Sequence, residues 1–421
     1  MKYRKRIVDK QLIQQLKAFG GVLIDGVKGC GKTTTAKQVS KSVIEFQNED
    51  IRDNLLLIAN NHPSDLLKGE KPILFDEWQD APKIFGAIRK SIDDNQLKGA
   101  YILTGSSSNK VKTSHTGTLR ISRFRMYPMS LYETGDSNGS VSLYDLFNKK
   151  QFKTSKSSLS FTNLKYVICR GGWPSTLNIV NKKDKLLVAK SLFEQTCEID
   201  MKNISSRRIN SKIVERILKS YSRNICTLAS DKTICEDSKI SINTYNNYIE
   251  DLENLNIITD IDAWNPSIRS KSSIRSQDKR NLVDPSIATS ALGICPEYLD
   301  KDYNTFGFLF ESLVIRDLKI YSSMHGGNIS YYRDKYGLEA DAVLHLEDGR
   351  FALIEIKLGE SQVDDAAHHL LEIERLIKEK NKTLKNNKLR LPDLKIVVTG
   401  SEYGYKREDG VLVIPIGCLK D

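Results

Sequence analysis

Cysteine, histidine and long apolar runs are scarce in this 421-residue sequence. The 7 cysteines (Cys30, Cys169, Cys197, Cys226, Cys235, Cys295 and Cys418) are odd in number and include no C-x-x-C pair. That excludes a disulfide framework and a zinc ribbon, and a reducing compartment, the cytoplasm, is expected. The only close pair among the 6 histidines is His368-His369. Adjacent side chains on a helix diverge by about 100°, so this pair is a poor chelate and reads as a solvated helix face. No apolar stretch approaches the ~18–20 residues that span a bilayer, so no membrane association is expected. The basic start, MKYRKRIVDK, has no apolar segment behind it and is not read as a signal peptide. What is present is a chain with 39% hydrophobic and 28% charged residues, long enough for two or three domains. The net charge of +11 favours polyanionic partners, meaning nucleotide or nucleic acid.

Periodicity sets out the chain. Leu12, Leu16 and Phe19 share one face of a helix over 7–19. Val22-Leu23-Ile24 reads as a buried strand, followed by a glycine-rich turn and a helix from Lys32 to about Phe46. Ile73-Leu74-Phe75 is a second strand, with a helix from about Pro82 behind it; residues 100–104 are a third. Strands alternating with helices imply an α/β domain with a parallel sheet. Residues 134–160, rich in Ser, Lys and Gly, read as a linker or surface insertion. Helices are expected over about 162–255, with Tyr245, Tyr248, Ile249 and Leu252 on one face and a β-hairpin after them. The last 120 or so residues read helix, three strands, helix, strand, an αβββαβ order.

Two groups of residues carry chemistry. Gly26-Val27-Lys28-Gly29-Cys30-Gly31-Lys32-Thr33 matches G-x-x-x-x-G-K-[ST] between a strand and a helix. Its backbone N–H groups, including those of Gly26, Gly29, Cys30, Gly31 and Thr34, are candidates to cradle phosphates; Lys32 reaches the β- and γ-phosphates and Thr33 offers a hydroxyl to Mg²⁺. Strand 73–75 runs into Asp76, a candidate Mg²⁺ ligand, and Glu77, which would polarise the attacking water. Ser106, past the third strand, is positioned to meet the γ-phosphate, and Arg120 or Arg123 is a candidate arginine finger. ATP and Mg²⁺ are the expected cofactors. The second group is Glu311 on a helix, Asp341 on a strand, and Glu355-x-Lys357 on the next strand, where period 2 puts Glu355 and Lys357 on one face and Ile354 and Ile356 on the other.

With DGVKGCGKTTTA (25–36), KPILFDEWQDAP (71–82), ILTGSSS (102–108), CRGGWPSTL (169–177), NLVDPSIATSALG (281–293) and YRDKYGLEADAV…ALIEIKLG (332–359), the chain resembles a bacterial family of AAA-type ATPases with a C-terminal domain long described as of unknown function. Leu119 departs from that family, whose members usually carry Gly before the arginine. The resemblance implies an AAA-type ATPase domain over 1–135, a linker and helical segment over 136–204 and a winged-helix-like module over 205–300. Residues 301–421 resemble the restriction-endonuclease-like PD-(D/E)XK nucleases. On that likeness Asp341 and Glu355 would clamp Mg²⁺, Glu311 would complete the shell, and Lys357 would orient or deprotonate water. Arg207, Arg208, Lys212, Arg216, Lys219 and Arg223, with Arg269, Lys271, Arg275, Lys279 and Arg280 on a wing, would contact backbone phosphates of DNA. Two functions are expected: an ATP-hydrolysing protein that gates or positions a nuclease-like domain, or an ATP-switched DNA- or partner-binding protein whose nuclease-like domain is inactive. A homo-oligomer is possible on either.

Overall fold

Five short strands build the N-terminal sheet. A computed structural model describes residues 3–105, 117–205, 207–267 and 276–421. Strands β1 (Gly21–Asp25), β2 (Ser42–Glu45), β3 (Ile73–Asp76), β4 (Tyr101–Gly105) and β5 (Ile121–Arg125) are all parallel, in the order β2-β3-β4-β1-β5. β1 is buried throughout because helices cover both sheet faces. Val22 and Ile24 enter one core and Leu23 the other. The helix Val8–Ala18 buries Leu12 and Leu16, and the helix Lys83–Asn95 begins directly after Pro82.

Two local expectations fail here. The helix after the glycine turn ends at Lys37, and Ser42–Glu45 is a strand instead. The β-branched Val43 and Ile44 pair with Leu74 and Phe75, so sheet pairing overrides the helix. β5 was not anticipated: ISRFR carries two arginines and reads as polar, because it is an edge strand with only Phe124 buried.

The middle of the chain is helical, with helices Phe161–Arg170, Lys182–Gln195, Ser211–Arg223, Asp231–Ser238, Ile242–Asn254 and Pro285–Leu292. Tyr245, Tyr248, Ile249 and Leu252 are buried, as their spacing requires. Antiparallel bridges Ile258↔Leu282 and Ile261↔Lys279 form the hairpin that follows.

Residues 136–160 are not a linker. They contribute β6 (Val141–Ser142) and β7 (Ser155–Lys156), and they bury Val141, Leu143, Leu146 and Phe147. Several of the serines that suggested a loop are helix caps: Ser142 accepts from the Asp145 N–H. The C-terminal strands are β8 (Gly327–Arg333), β9 (Glu339–Leu346), β10 (Phe351–Lys357), β11 (Leu394–Thr399), β12 (Tyr403–Lys406), β13 (Leu412–Pro415) and β14 (Leu419–Lys420). β7 joins the edge of their seven-stranded sheet, order β7-β12-β13-β11-β10-β9-β8, and β6 pairs with β14. The helices Tyr303–Ser323 and Val363–Thr383 complete the αβββαβ order, with β8-β9-β10 antiparallel and β10-β11 parallel.

A buried charged junction joins all three regions. Arg316, on the helix Tyr303–Ser323, donates to Asp284 (2.8 Å) and Asp317 (2.7 Å). Asp284 also accepts from the Gly172 N–H at 3.0 Å, and Asp317 from the Leu131 N–H at 2.9 Å.

Candidate functional site

The glycine loop leaves β1 at Asp25 and closes into the helix Lys32–Lys37. Gly26 has φ +155°, and a Cβ there would sit 2.2 Å from the Met126 carbonyl oxygen, so no other residue fits. Gly31 has φ +104° directly before Lys32. The Lys32 ammonium is buried in the loop and donates to the carbonyl oxygens of Gly26 (2.8 Å) and Val27 (3.1 Å). Thr33 Oγ1 donates to Asp76 Oδ1 at 2.6 Å, and Thr104 Oγ1 donates to the same oxygen at 2.5 Å. The helix after the loop and two neighbouring strands thus bring hydroxyl and carboxylate oxygens together, the hard donor set that suits Mg²⁺. The residues present fit the ion. Glu77 follows in the left-handed region (φ +52°), a strained position for a non-glycine, and accepts from Gln79 Nε2 at 2.5 Å.

A cleft of about 700 Å³ runs along this loop, lined by Gly29, Gly31, Lys32, Thr33, Thr34 and Glu77. Its far wall is Tyr3, Arg4, Pro174, Leu177 and Asn178, so the middle region closes the site. Lys28, in the loop itself, pairs with Asp200 at 3.0 Å.

Sequence reasoning missed Arg6. Its guanidinium is buried and donates to the Cys30 carbonyl (2.8 Å), the Tyr127 carbonyl (2.9 Å) and Glu133 (3.0 Å). Glu133 also closes a capping box on Ser130. The S-x-x-E spacing of Ser130 and Glu133 was the one available signal; nothing local marks Arg6 as its partner.

Ser106 lies outside the described residues. Arg120 does not line the cleft: it donates to Asp93 on the helix Lys83–Asn95 at 2.8 Å. The intervening Leu119 is left-handed (φ +68°), the conformation that a glycine there would adopt freely. Arg123 donates to Asp25 at 2.6 Å, and Asp25 also accepts from Asn256 at 3.2 Å.

In the C-terminal group Lys357 meets both Asp341 and Glu355, while Glu311 has a partner that the sequence did not suggest. Asp341 Oδ2 accepts from the Ile356 N–H at 2.7 Å and from Lys357 at 3.1 Å. Lys357 also lies 2.5 Å from Glu355. Glu311 pairs instead with Lys279, whose buried ammonium donates to it at 2.9 Å. Ile354 and Ile356 pack in the core that holds Phe310 and Val314 of the Glu311 helix, whereas Phe351 and Leu353 pack in the core of the helix Val363–Thr383. Glu355 is in step with Phe351 and Leu353, and His369 of that second helix is 3.5 Å from it. Glu311 and Glu355 therefore approach from opposite faces of the sheet. Among the described residues no group of three or more His, Cys, Asp or Glu side chains is placed to hold a metal. Two ammonium groups already pair with the three expected ligands, Lys279 with Glu311 and Lys357 with Asp341 and Glu355, and they compete with a divalent ion for these oxygens.

Burial pushes the Glu355 carboxyl up to about 8, with the Asp341 charge adding and Lys357 opposing. Burial likewise takes Glu311 to about 7 against Lys279. Asp341 is also penalised by burial, but Lys357 and Lys279 hold it below the usual carboxylate range. An open cleft of about 540 Å³ reaches Glu311, Asp341 and Lys357.

The basic row divides. Arg207, Arg208, Lys212, Arg216, Lys219 and Arg223 are exposed. Arg269, Lys271 and Arg275 lie outside the described residues. Lys279 and Arg280 are buried and cannot meet a duplex as they stand: Lys279 serves Glu311, and Arg280 donates to Asp260 at 2.9 Å and to Asp231. Trp78 and Trp173 are core residues.

Family comparisons match three stretches of the chain. Residues 19–135 match the family model described as an AAA domain. Residues 161–298 and 306–419 each match a domain of unknown function, DUF8612 and DUF4143. No curated protein matches. Solved structures that align include a DNA replication initiation factor, at 16% identity and TM-score 0.23, over 59% of this chain and 86% of that one. A signal-transduction ATPase (STAND) protein with a tetratricopeptide repeat sensor from Pyrococcus horikoshii aligns at 14% identity and TM-score 0.23, over 89% of this chain and 54% of that one. The N-terminal region is an AAA-type, ATP-binding P-loop domain. No helix among the described residues is long and apolar enough to cross a membrane.

Proposed function

We propose that the protein hydrolyses ATP and acts on DNA, with its C-terminal domain a PD-(D/E)XK nuclease-like unit gated by the ATPase. The observation that carries the reading is the joining of Thr33 to Asp76 at 2.6 Å beside Lys32 and Glu77 in one cleft. Lys32 would neutralise the β- and γ-phosphates, Thr33 and Asp76 would hold Mg²⁺, and Glu77 would polarise the attacking water and take its proton. The bound ion supplies charge neutralisation at the transferring phosphoryl group. Tyr3, Pro174 and Leu177 line the same cleft, so the middle region would meet a nucleotide bound there. Arg120 remains a candidate finger only toward a neighbouring copy's nucleotide.

The exposed row from Arg207 to Arg223 supports contact with a polyanion. The αβββαβ order and the Asp341, Glu355 and Lys357 contacts support the nuclease-like reading of the C-terminal domain. One observation favours the alternative of a DNA- or partner-binding domain without cleavage: Lys279 and Lys357 already pair with its three carboxylates.

The test has two readouts on the same protein, duplex affinity with ATP or ADP and nicking of supercoiled plasmid with Mg²⁺ or Mn²⁺. The gated-nuclease reading expects affinity to change with nucleotide, and nicking to be absent from Asp341→Ala/Glu355→Ala. A nucleotide-dependent affinity without nicking supports the binding-only reading. Equal affinity in ATP, in ADP and in Lys32→Ala removes the nucleotide switch from the account, and no measurable affinity in any of them removes DNA.

A further inference from the structure

Lys279 is the least expected residue in the C-terminal site. It belongs to the middle region, where its backbone N–H and carbonyl exchange hydrogen bonds with Ile261 at 2.9 Å each. Its side chain crosses into the C-terminal domain, donates to Glu311 at 2.9 Å and lies 3.5 Å from the Asp341 carbonyl. The Lys279 side chain is 3% exposed. Its hairpin is fastened to the Glu311 helix at two further points: Ser312 donates to Asn281 at 2.8 Å, and Arg316 donates to Asp284. A buried, paired lysine costs several kcal/mol of desolvation and is matched only by a close opposite charge. Lys279 therefore supplies the close opposite charge for the buried Glu311 carboxylate.

We propose that Lys279 is an internal counter-cation that competes with a divalent metal for Glu311, so that the C-terminal site binds metal weakly while the 276–284 strand is docked. The proposal rests on the nuclease-like reading of that domain for the role of the metal, and on the Lys279–Glu311 pair for the competition. An ammonium satisfies a carboxylate with one charge and three N–H donors, whereas a divalent ion needs several oxygens at once. The two cannot share Glu311 in this geometry. Asp284 couples the same strand to the Gly172 N–H, one residue before Trp173, whose own neighbour Pro174 lines the nucleotide cleft. The strand that carries the competing cation is thus fixed to the wall of the ATP site.

The experiment counts Mn²⁺ bound to the nucleotide-free full-length protein by electron paramagnetic resonance. Wild type, Lys279→Met, Lys279→Arg and Lys279→Met/Glu311→Gln are compared. Lys279→Met is expected to bind one further Mn²⁺ at least tenfold more tightly than wild type; Lys279→Arg behaves as wild type, and the double variant loses the gain. Retained ATP binding in each variant shows that the chain is folded, and Lys279→Gln replaces Lys279→Met if that variant is not. Equal Mn²⁺ affinity in wild type and Lys279→Met overturns the competition. If both bind tightly, and Asp341→Asn abolishes it, the nuclease-like reading survives that failure. If neither binds, the metal-dependent reading falls with it.

Discussion

Lys32→Ala is expected to remove ATP binding, with affinity at least about 100-fold weaker than wild type. The ammonium is one of the few buried charges in the loop and is already oriented by two carbonyl oxygens, so phosphate gains its charge at little ordering cost. Each charge-assisted hydrogen bond to a phosphate contributes about 1.5–3 kcal/mol, and Lys32 reaches two phosphates. Alanine leaves the backbone N–H groups of the loop in place but removes their counter-charge. Calorimetric titration of MgATP into both proteins measures the difference, and matching circular dichroism spectra exclude unfolding as its cause. Retained affinity in Lys32→Ala would place the nucleotide elsewhere.

Arg316→Leu is expected to have the largest effect on stability, about 3–5 kcal/mol. Arg316, Asp284 and Asp317 are all essentially inaccessible to solvent. Two carboxylates depend on one guanidinium, and they in turn accept from the Gly172 and Leu131 N–H groups. Replacing Arg316 with Leu strands both acids in the interior, and a buried unpaired charge costs far more than the pair contributes. Burial raises Asp317 while Arg316 opposes that rise, so losing the guanidinium drives the acid toward its neutral form. The effect is read as a lower urea midpoint for the transition that includes the C-terminal domain. Arg316→Lys, which keeps the charge without the fork of donors, recovers part of it. An unchanged midpoint in Arg316→Leu would show that the junction does not hold the three regions together.

The phosphate site was legible because its chemistry is local. Gly26 to Thr33 is one turn of chain, and Asp76-Glu77 closes an apolar strand that any period-based reading finds. The αβββαβ order was legible for the same reason. What was not legible depends on distance along the chain. Arg6 lies 127 residues from Glu133, and Lys279 lies 32 residues from Glu311. A basic residue on a hairpin reads as a surface charge until its buried partner is known. Residues 136–160 misled for a third reason: serine and lysine suggest a loop, yet five apolar side chains among them (Val141, Leu143, Leu146, Phe147 and Leu159) are buried in the core that also holds Leu344, Ile354 and Leu419 of the C-terminal strands. The faces of β10 were read correctly, but facing alone does not bring Glu311, on a helix, to the same side as Glu355.

The most direct check is steady-state ATP turnover by the full-length protein, wild type against Glu77→Gln, with MgATP affinity measured alongside. Glutamine keeps the size of the side chain and removes the base, so affinity should hold while turnover falls by about 100-fold or more. Equal turnover in the two proteins would contradict the assignment of this cleft as the place where ATP is hydrolysed.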